Sequence, residues 1–370
     1  MRKRTLSKIY AIALALAFLL GEIAVFMIKG ETTTGAVCVL VGMLIAFIFA
    51  PTIHELGHIL FAKSVNMQVQ YAKFFCFAVQ RVGGRYALTL VNPFLPDQAQ
   101  VIPIGREDMK NRAQKYAVGG LVFSGVFAAI IIVLAIVFEI FSVDSAFVFG
   151  ILPYSVYLFF LNVAPFEYAD GKTDYAVYLG IKREEPMETA MLMAMQIQGG
   201  LNNGERYSSL PESLFSFPVL AEDETMFLIA WDLKYRRALD SWNLEKASYC
   251  IKKMSQAEEY FTSEEREKFA VELTYLHALN GDFDKANESS KYCERFLRSE
   301  TVTAKRVLAT VALCAGRVED AEILKKSGEA LLSKIEFYGE RKLEESLLSR
   351  INTNSLHTLK TENDYGTDNE

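Results

Sequence analysis

The chain has 370 residues, 51% of them apolar, with a formal net charge of −6. Residues 1–180 hold 14 Lys and Arg against 11 Asp and Glu, a net of +3, so residues 181–370 carry −9. Without a strongly basic domain, nucleic acid is excluded as an expected partner. Cys38, Cys76, Cys250, Cys293 and Cys314 form no C-x-x-C pair, which argues against a disulfide framework and a cysteine zinc site.

The first expected element is a transmembrane helix. "MRKRTLSKIYAIALALAFLLGEIAVFMIKG" has a basic start and then about twenty mostly apolar residues, Ile9 to Ile28. At 1.5 Å rise these match the roughly 30 Å hydrocarbon core, and the run is longer than the apolar core of a cleaved signal peptide. Glu22, inside it, is expected to face other helices or water near one end. A second span, Ala36–Ala62, contains "FIFAPTIHELGHILFAK". A third covers Tyr116–Phe141, with Glu139 as its one charge, and a fourth Ala146–Ala164. Between the second and third spans, "VQYAKFFCFAVQRVGGRYALTLV" reads as two short strands and a turn broken at Gly83–Gly84.

Orientation follows from Lys and Arg in the short flanks. The amino terminus carries Arg2, Lys3, Arg4 and Lys8, and the Lys63–Lys115 loop carries eight basic residues. The Lys29–Gly35 connection has one and Ser142–Ser145 none. Both termini of the membrane region are therefore expected on the cytoplasmic side of a cell membrane, and the carboxyl-terminal half with them.

Residues 1–185 thus read as a membrane domain of four helices with a small β-hairpin region, and 186–222 as a short helix and then a linker. Residues 223–340 read as a soluble helical domain and 341–370 as a polar, disordered tail. The class is mainly α. Within the helical part, "NLEKA" ends at Ala247, "GDFDKA" at Ala286 and "GRVEDA" at Ala321. This weak repetition predicts stacked helical hairpins, with a plain bundle as the alternative. "GDFDKA" resembles the helix junction of tetratricopeptide repeats.

His54-Glu55-x-x-His58 is the chemical core. On a helix the two histidines stand one turn apart on one face, a rigid pair of neutral nitrogen ligands for zinc. Glu55 is placed to take a proton from an activated water and return it to a leaving amine. H-E-x-x-H also occurs by chance, but burying two His and a Glu at membrane depth is costly without a function. A catalytic zinc wants a third protein ligand. His277 lies in the helical half and His357 in the tail, whereas "LNVAPFEYADGKTDY", at the end of the fourth span, offers Glu167, Asp170 and Asp174.

Asn162-x-x-Pro165-x4-Asp170-Gly171, together with His54-Glu55-x-x-His58, resembles the paired motifs of the site-2 protease family of intramembrane zinc metalloproteases. Gly120-x-x-x-Ser124 fits a third family feature, and the resemblance covers about residues 36–175. It implies Zn2+ held by His54, His58 and Asp170, with Glu55 as catalytic acid and base. It implies Asn162 as a substrate or transition-state contact. Glu167 is a rival ligand and Asp174 a weaker one. Pro165 cannot donate a backbone hydrogen bond, so the backbone there can leave helical geometry. The implied activity is hydrolysis of a transmembrane or membrane-associated peptide near the cytoplasmic face. The substrate would unwind and pair as a strand with the Val69–Val91 segment. By resemblance it could be a transcription factor precursor, an anti-sigma factor or a signal-peptide remnant.

The expected partners are membrane lipid, the transmembrane substrate, and a cytoplasmic protein or substrate portion met by residues 223–340. The alternative from another class is a non-proteolytic membrane adaptor that recruits a partner through that domain. A further one is a membrane peptidase of another zinc family with Glu167 as ligand.

Overall fold

The computed structural model describes residues 2–82, 84–168 and 171–351. The chain divides into two compact units, residues 1–192 and 193–370.

The first unit is built on four long apolar helices, α1 (Arg2–Lys29), α2 (Thr33–Ser64), α3 (Met109–Ile140) and α4 (Ala146–Val163). Each is long and apolar enough to cross a membrane. Their outward positions are apolar as well: Leu20, Met27, Leu44, Val133 and Ile140 are all exposed. Bare apolar surface of this extent suits lipid rather than water. The 32 residues of α2 and of α3 each rise about 48 Å, more than a hydrocarbon core needs.

Small residues bring these helices together. A Cβ on Gly42 of α2 would stand 2.3 Å from the Phe147 carbonyl oxygen, and one on Gly150 of α4 2.4 Å from that of Val39. Further along α2, a Cβ on Gly57 would stand 2.3 Å from the Gly119 carbonyl oxygen of α3. Backbones this close are the packing expected where lipid supplies no hydrophobic drive between helices. α2 is thus held to α4 around Gly42 and to α3 around Gly57, the stretch that carries the histidines.

The expected pair of strands is instead a four-stranded antiparallel sheet. It comprises β1 (Met67–Phe74), β2 (Phe77–Val82), β3 (Arg85–Leu90) and β4 (Gln98–Pro103), in the order β3-β2-β1-β4. β4 went unread in the sequence because "QAQVIP" is short and begins with three residues of little strand preference. A buried ion pair ties the sheet to α2. Lys73 Nζ on β1 lies 3.0 Å from Asp97 Oδ1, and Thr52 Oγ1 on α2 donates to Asp97 Oδ2 at 3.3 Å.

After α4 come a small hairpin, β5 (Glu167–Tyr168) and β6 (Gly171–Lys172), and then α5 (Asp174–Arg183). Helix α6 (Pro186–Asn202) follows and crosses the boundary between the units.

The second unit contains three helical hairpins. They are α7 (Thr225–Asp240) with α8 (Leu244–Met254), α9 (Ser263–Leu279) with α10 (Phe283–Ser290), and α12 (Val302–Cys314) with α13 (Val318–Leu331). A single turn, α11 (Glu294–Leu297), precedes α12, and α14 (Tyr338–Ser349) closes the unit. The repeated alanines occupy one structural place. Ala247, Ala286 and Ala321 sit in the first turn of each second helix, all at 2% exposure or less. The residue two places before each of these helices is left-handed: Trp242 (φ 53°), Gly281 (φ 74°) and Gly316 (φ 76°). Two of the three hairpins meet that demand with glycine. Ala286→Leu, which forces a side chain into a closed contact, should cost about 1–3 kcal/mol. Asn287→Leu, at an exposed position beside it, should stay within about 0.5 kcal/mol. Chemical denaturation monitored by circular dichroism tests both.

Two boundaries differ from the sequence reading. The stretch 186–222, expected as a short helix and then a linker, contains α6 and two short 3-10 turns. Its Leu201, Tyr207, Leu210 and Phe215 are buried in the core of the second unit. These residues are spaced among Gly, Asn and Ser, so composition alone reads as a tether while the isolated large side chains do the packing. The expected tail at 341–370 begins too early: Leu343, Leu347 and Leu348 on α14 are buried, and only 352–370 lie outside the described residues.

Candidate metal centre

His54 and His58 stand one turn apart on α2, at the level where Gly57 meets Gly119. Each imidazole is oriented through its Nδ1. His54 Nδ1 lies 2.8 Å from Ser124 Oγ on α3, and His58 Nδ1 lies 2.8 Å from the Tyr116 carbonyl oxygen. A carbonyl oxygen only accepts, so His58 carries its proton on Nδ1. A neutral ring then presents a bare Nε2. Such outer hydrogen bonds hold metal-binding histidines in a single tautomer and orientation.

The two Nε2 atoms are 3.3 Å apart, and Asp174 Oδ2 lies 3.0 Å from His54 Nε2 and 3.1 Å from His58 Nε2. Among the described residues this is the one convergence of three His, Cys, Asp or Glu ligand atoms. Atoms so placed repel one another unless a proton or a metal cation joins them. Tetrahedral zinc, with ligands at about 2.0–2.2 Å, separates its ligand atoms by about 3.3 Å. The residues present therefore fit zinc in kind, number and spacing.

Space for the centre is made by a missing side chain. A Cβ on Gly120 would stand 2.4 Å from His58 Nε2 and 2.7 Å from His54 Nε2. Gly120-x-x-x-Ser124 thus has a local meaning: the glycine leaves the room, and the serine one turn on holds His54. Gly120→Ala is expected to lower zinc affinity by more than about 100-fold, beyond the about 10–100-fold of a lost outer hydrogen bond. Gly125→Ala, whose Cβ would meet the Phe159 ring at 3.0 Å, should retain the metal. Competition with a chromogenic chelator measures both.

Asp174 reaches the pair because it opens a helix. Thr173 caps α5, accepting from the Ala176 amide at 3.3 Å and donating to the Ala164 carbonyl at 2.5 Å. The cap fastens the start of α5 to the end of α4. An acidic first residue also suits the positive end of the helix. The preceding hairpin is pinned by Lys172, whose Nζ lies 2.6 Å from Glu188 Oε1 on α6. Burial pulls Lys172 down, and Glu188 and Glu185 outweigh it, so the amine stays charged.

No protein-family model, curated protein or solved structure matches this chain.

The other sequence candidates are placed as follows. Glu55, half-buried on α2, faces the charges of His58, His54, Asp174 and Asp97 and makes no hydrogen bond among the described residues. Asp170, the third ligand implied by the family resemblance, lies outside the described residues. Asp174, ranked below it in the sequence, is the acid seen with the histidines. A signal for it was present: Thr-Asp after a Gly-Lys turn marks a helix start, which fixes a carboxylate better than a loop does. Glu167 is exposed on β5, opposite Lys172, and is not part of the cluster. Asn162 Nδ2 donates to the Leu158 carbonyl of its own helix at 3.1 Å. His277 lies in the second unit at the end of α9, and His357 lies outside the described residues.

Proposed function

We propose that the chain is a membrane-embedded zinc endopeptidase that cuts a transmembrane or membrane-associated peptide near the cytoplasmic face. The observation that carries this is the meeting of His54, His58 and Asp174 beside Glu55, on helices apolar enough to span a bilayer. The resemblance of His54-Glu55-x-x-His58 and Asn162-x-x-Pro165-x4-Asp170-Gly171 to site-2 proteases supports the same reading.

In it, His54, His58 and Asp174 hold the metal. Zinc, when bound, supplies a Lewis acid and makes a water acidic near neutral pH. Glu55 takes the proton of the attacking water and delivers it to the departing amine nitrogen. The lack of a competing partner leaves its carboxylate available for both transfers. Gly120 keeps the approach to the histidines open, while Ser124 and the Tyr116 carbonyl keep the rings from turning.

A peptide bond in a helix is shielded by that helix's own hydrogen bonds, so the substrate is cut as an extended segment. The sheet restricts where such a segment pairs. β1 is bonded on both sides, so within Val69–Val91 only β3 has a free edge, and β4 supplies the other edge of the sheet. β4 is the edge joined to the centre: Tyr116, whose carbonyl holds His58, donates its hydroxyl to the Ala99 carbonyl at 2.8 Å.

The test is reconstitution of the purified chain in liposomes with fluorogenic transmembrane peptides. Cleavage should stop with a zinc chelator and return with zinc. A zinc-loaded chain that binds such peptides and never cuts them would leave the adaptor reading in its place.

A further inference from the structure

The second unit carries a groove along α7. Two adjoining hollows, of about 400 and 430 Å³, share Ile229, Asp232, Leu233 and Arg236. Their size is that of a small-ligand or side-chain site. The floor is apolar, from Leu228, Leu233 and Phe269. The charges around it do not balance. Arg236 is shared between Asp232, at 2.7 Å, and Glu340, at 3.1 Å. Arg306, 1% exposed beneath the groove, is shared between Glu344, at 2.8 Å, and Glu272, at 3.0 Å. Each guanidinium thus answers two carboxylates, and each triad keeps one negative charge. The remaining charged lining residues, Glu265 and Lys268, cancel.

Hydrogen bonds from Tyr235 to Glu272, at 2.8 Å, from Tyr207 to Glu340 and from Thr303 to Glu344, at 2.7 Å, fix these carboxylates in place without neutralising their charge. The net negative charge of both triads therefore remains beside the same partly enclosed apolar hollow. We propose that this groove binds a peptide carrying a Lys or Arg beside a large apolar residue. The apolar side chain fills the hollow, and the cation lies against Asp232 and Glu272. In a site partly closed to water the attraction is stronger than on an open surface, and it also selects against acidic partners.

Peptides of this composition flank transmembrane segments on the cytoplasmic side, where Lys and Arg accumulate. The groove would then hold the basic flank of the substrate. That last step rests on the peptidase reading; the binding itself does not.

The experiment uses the full chain in detergent as its Glu55→Gln variant, so that binding is read without cleavage. The probe is a fluorescein-labelled twelve-residue peptide of Arg, Lys, Leu and Phe, compared by anisotropy with a copy in which Glu replaces every basic residue. The basic peptide should bind at least about tenfold more tightly, and Ile229→Lys should remove that preference. Ile229 is 40% exposed, so this change should be tolerated, and the melting temperature checks it. Lys268→Glu, at a position exposed in α9, should tighten the basic peptide several-fold. Equal binding of the two peptides overturns the proposal. So does a folded Ile229→Lys chain that binds as before, or a Lys268→Glu chain that binds no tighter. Should the groove bind as stated while no transmembrane peptide is ever cut, the peptidase reading fails and the groove stands.

Discussion

Asp174→Asn should abolish the zinc binding proposed for the histidine pair. Its carboxylate oxygen is 3.0 Å from one histidine nitrogen and 3.1 Å from the other, and an amide supplies a weaker, neutral donor in its place. The loss in affinity should exceed the about 10–100-fold expected of an outer-shell partner, and His58→Ala should behave alike. Glu167→Gln, on an exposed strand across from Lys172, should bind zinc as the parent does. The measurement is metal content by atomic absorption after dialysis against a graded zinc buffer, with circular dichroism to confirm helix content. Asp170→Asn belongs in the same series, since the family resemblance assigns the third ligand there. Full zinc in Asp174→Asn with none in Asp170→Asn would return the ligand to Asp170.

Glu55→Gln should separate binding from chemistry. The side chain keeps its size and loses the capacity to accept a proton, while His54, His58 and Asp174 are untouched. General acid–base catalysis contributes about 10²–10⁴-fold, so turnover should fall by that factor, roughly 3–5 kcal/mol in the barrier, with one zinc still bound. Glu55 makes no hydrogen bond among the described residues, so no structural partner is orphaned by the change. The readout is kcat for a transmembrane peptide together with zinc stoichiometry on the same sample. Equal losses of zinc and of activity would mean that Glu55 supports the centre rather than the reaction. Unchanged kcat would remove it from the mechanism.

The four long apolar helices were legible because length and apolarity are local properties of the sequence. The histidine pair was legible for a related reason: on one helix, four residues of separation determine which side chains share a face. The helical hairpins were legible at their junctions, where a left-handed turn calls for glycine and the first turn of the next helix has room only for alanine. The small sheet was half legible: the break read at Gly83–Gly84 falls between β2 and β3, whereas the β1–β2 turn at Phe75–Cys76 carries no glycine or proline and β4 is recruited by pairing with β1.

Which acid stands beside the histidines was not legible from spacing, although Thr173-Asp174 marks a helix start. Glu167, Asp170 and Asp174 lie within eight residues of one another, and spacing does not rank them. What brings Asp174 to the histidines is the hairpin after α4 and the Thr173 cap that seats α5 on Ala164, contacts between segments that are remote from α2 in the chain. Gly120 likewise looks like any glycine in an apolar helix until α3 lies against α2 and the absent Cβ becomes the space between two imidazoles. Tertiary structure alone also makes 193–220 part of a core, because single large side chains among polar residues acquire partners only once the helices around them have packed.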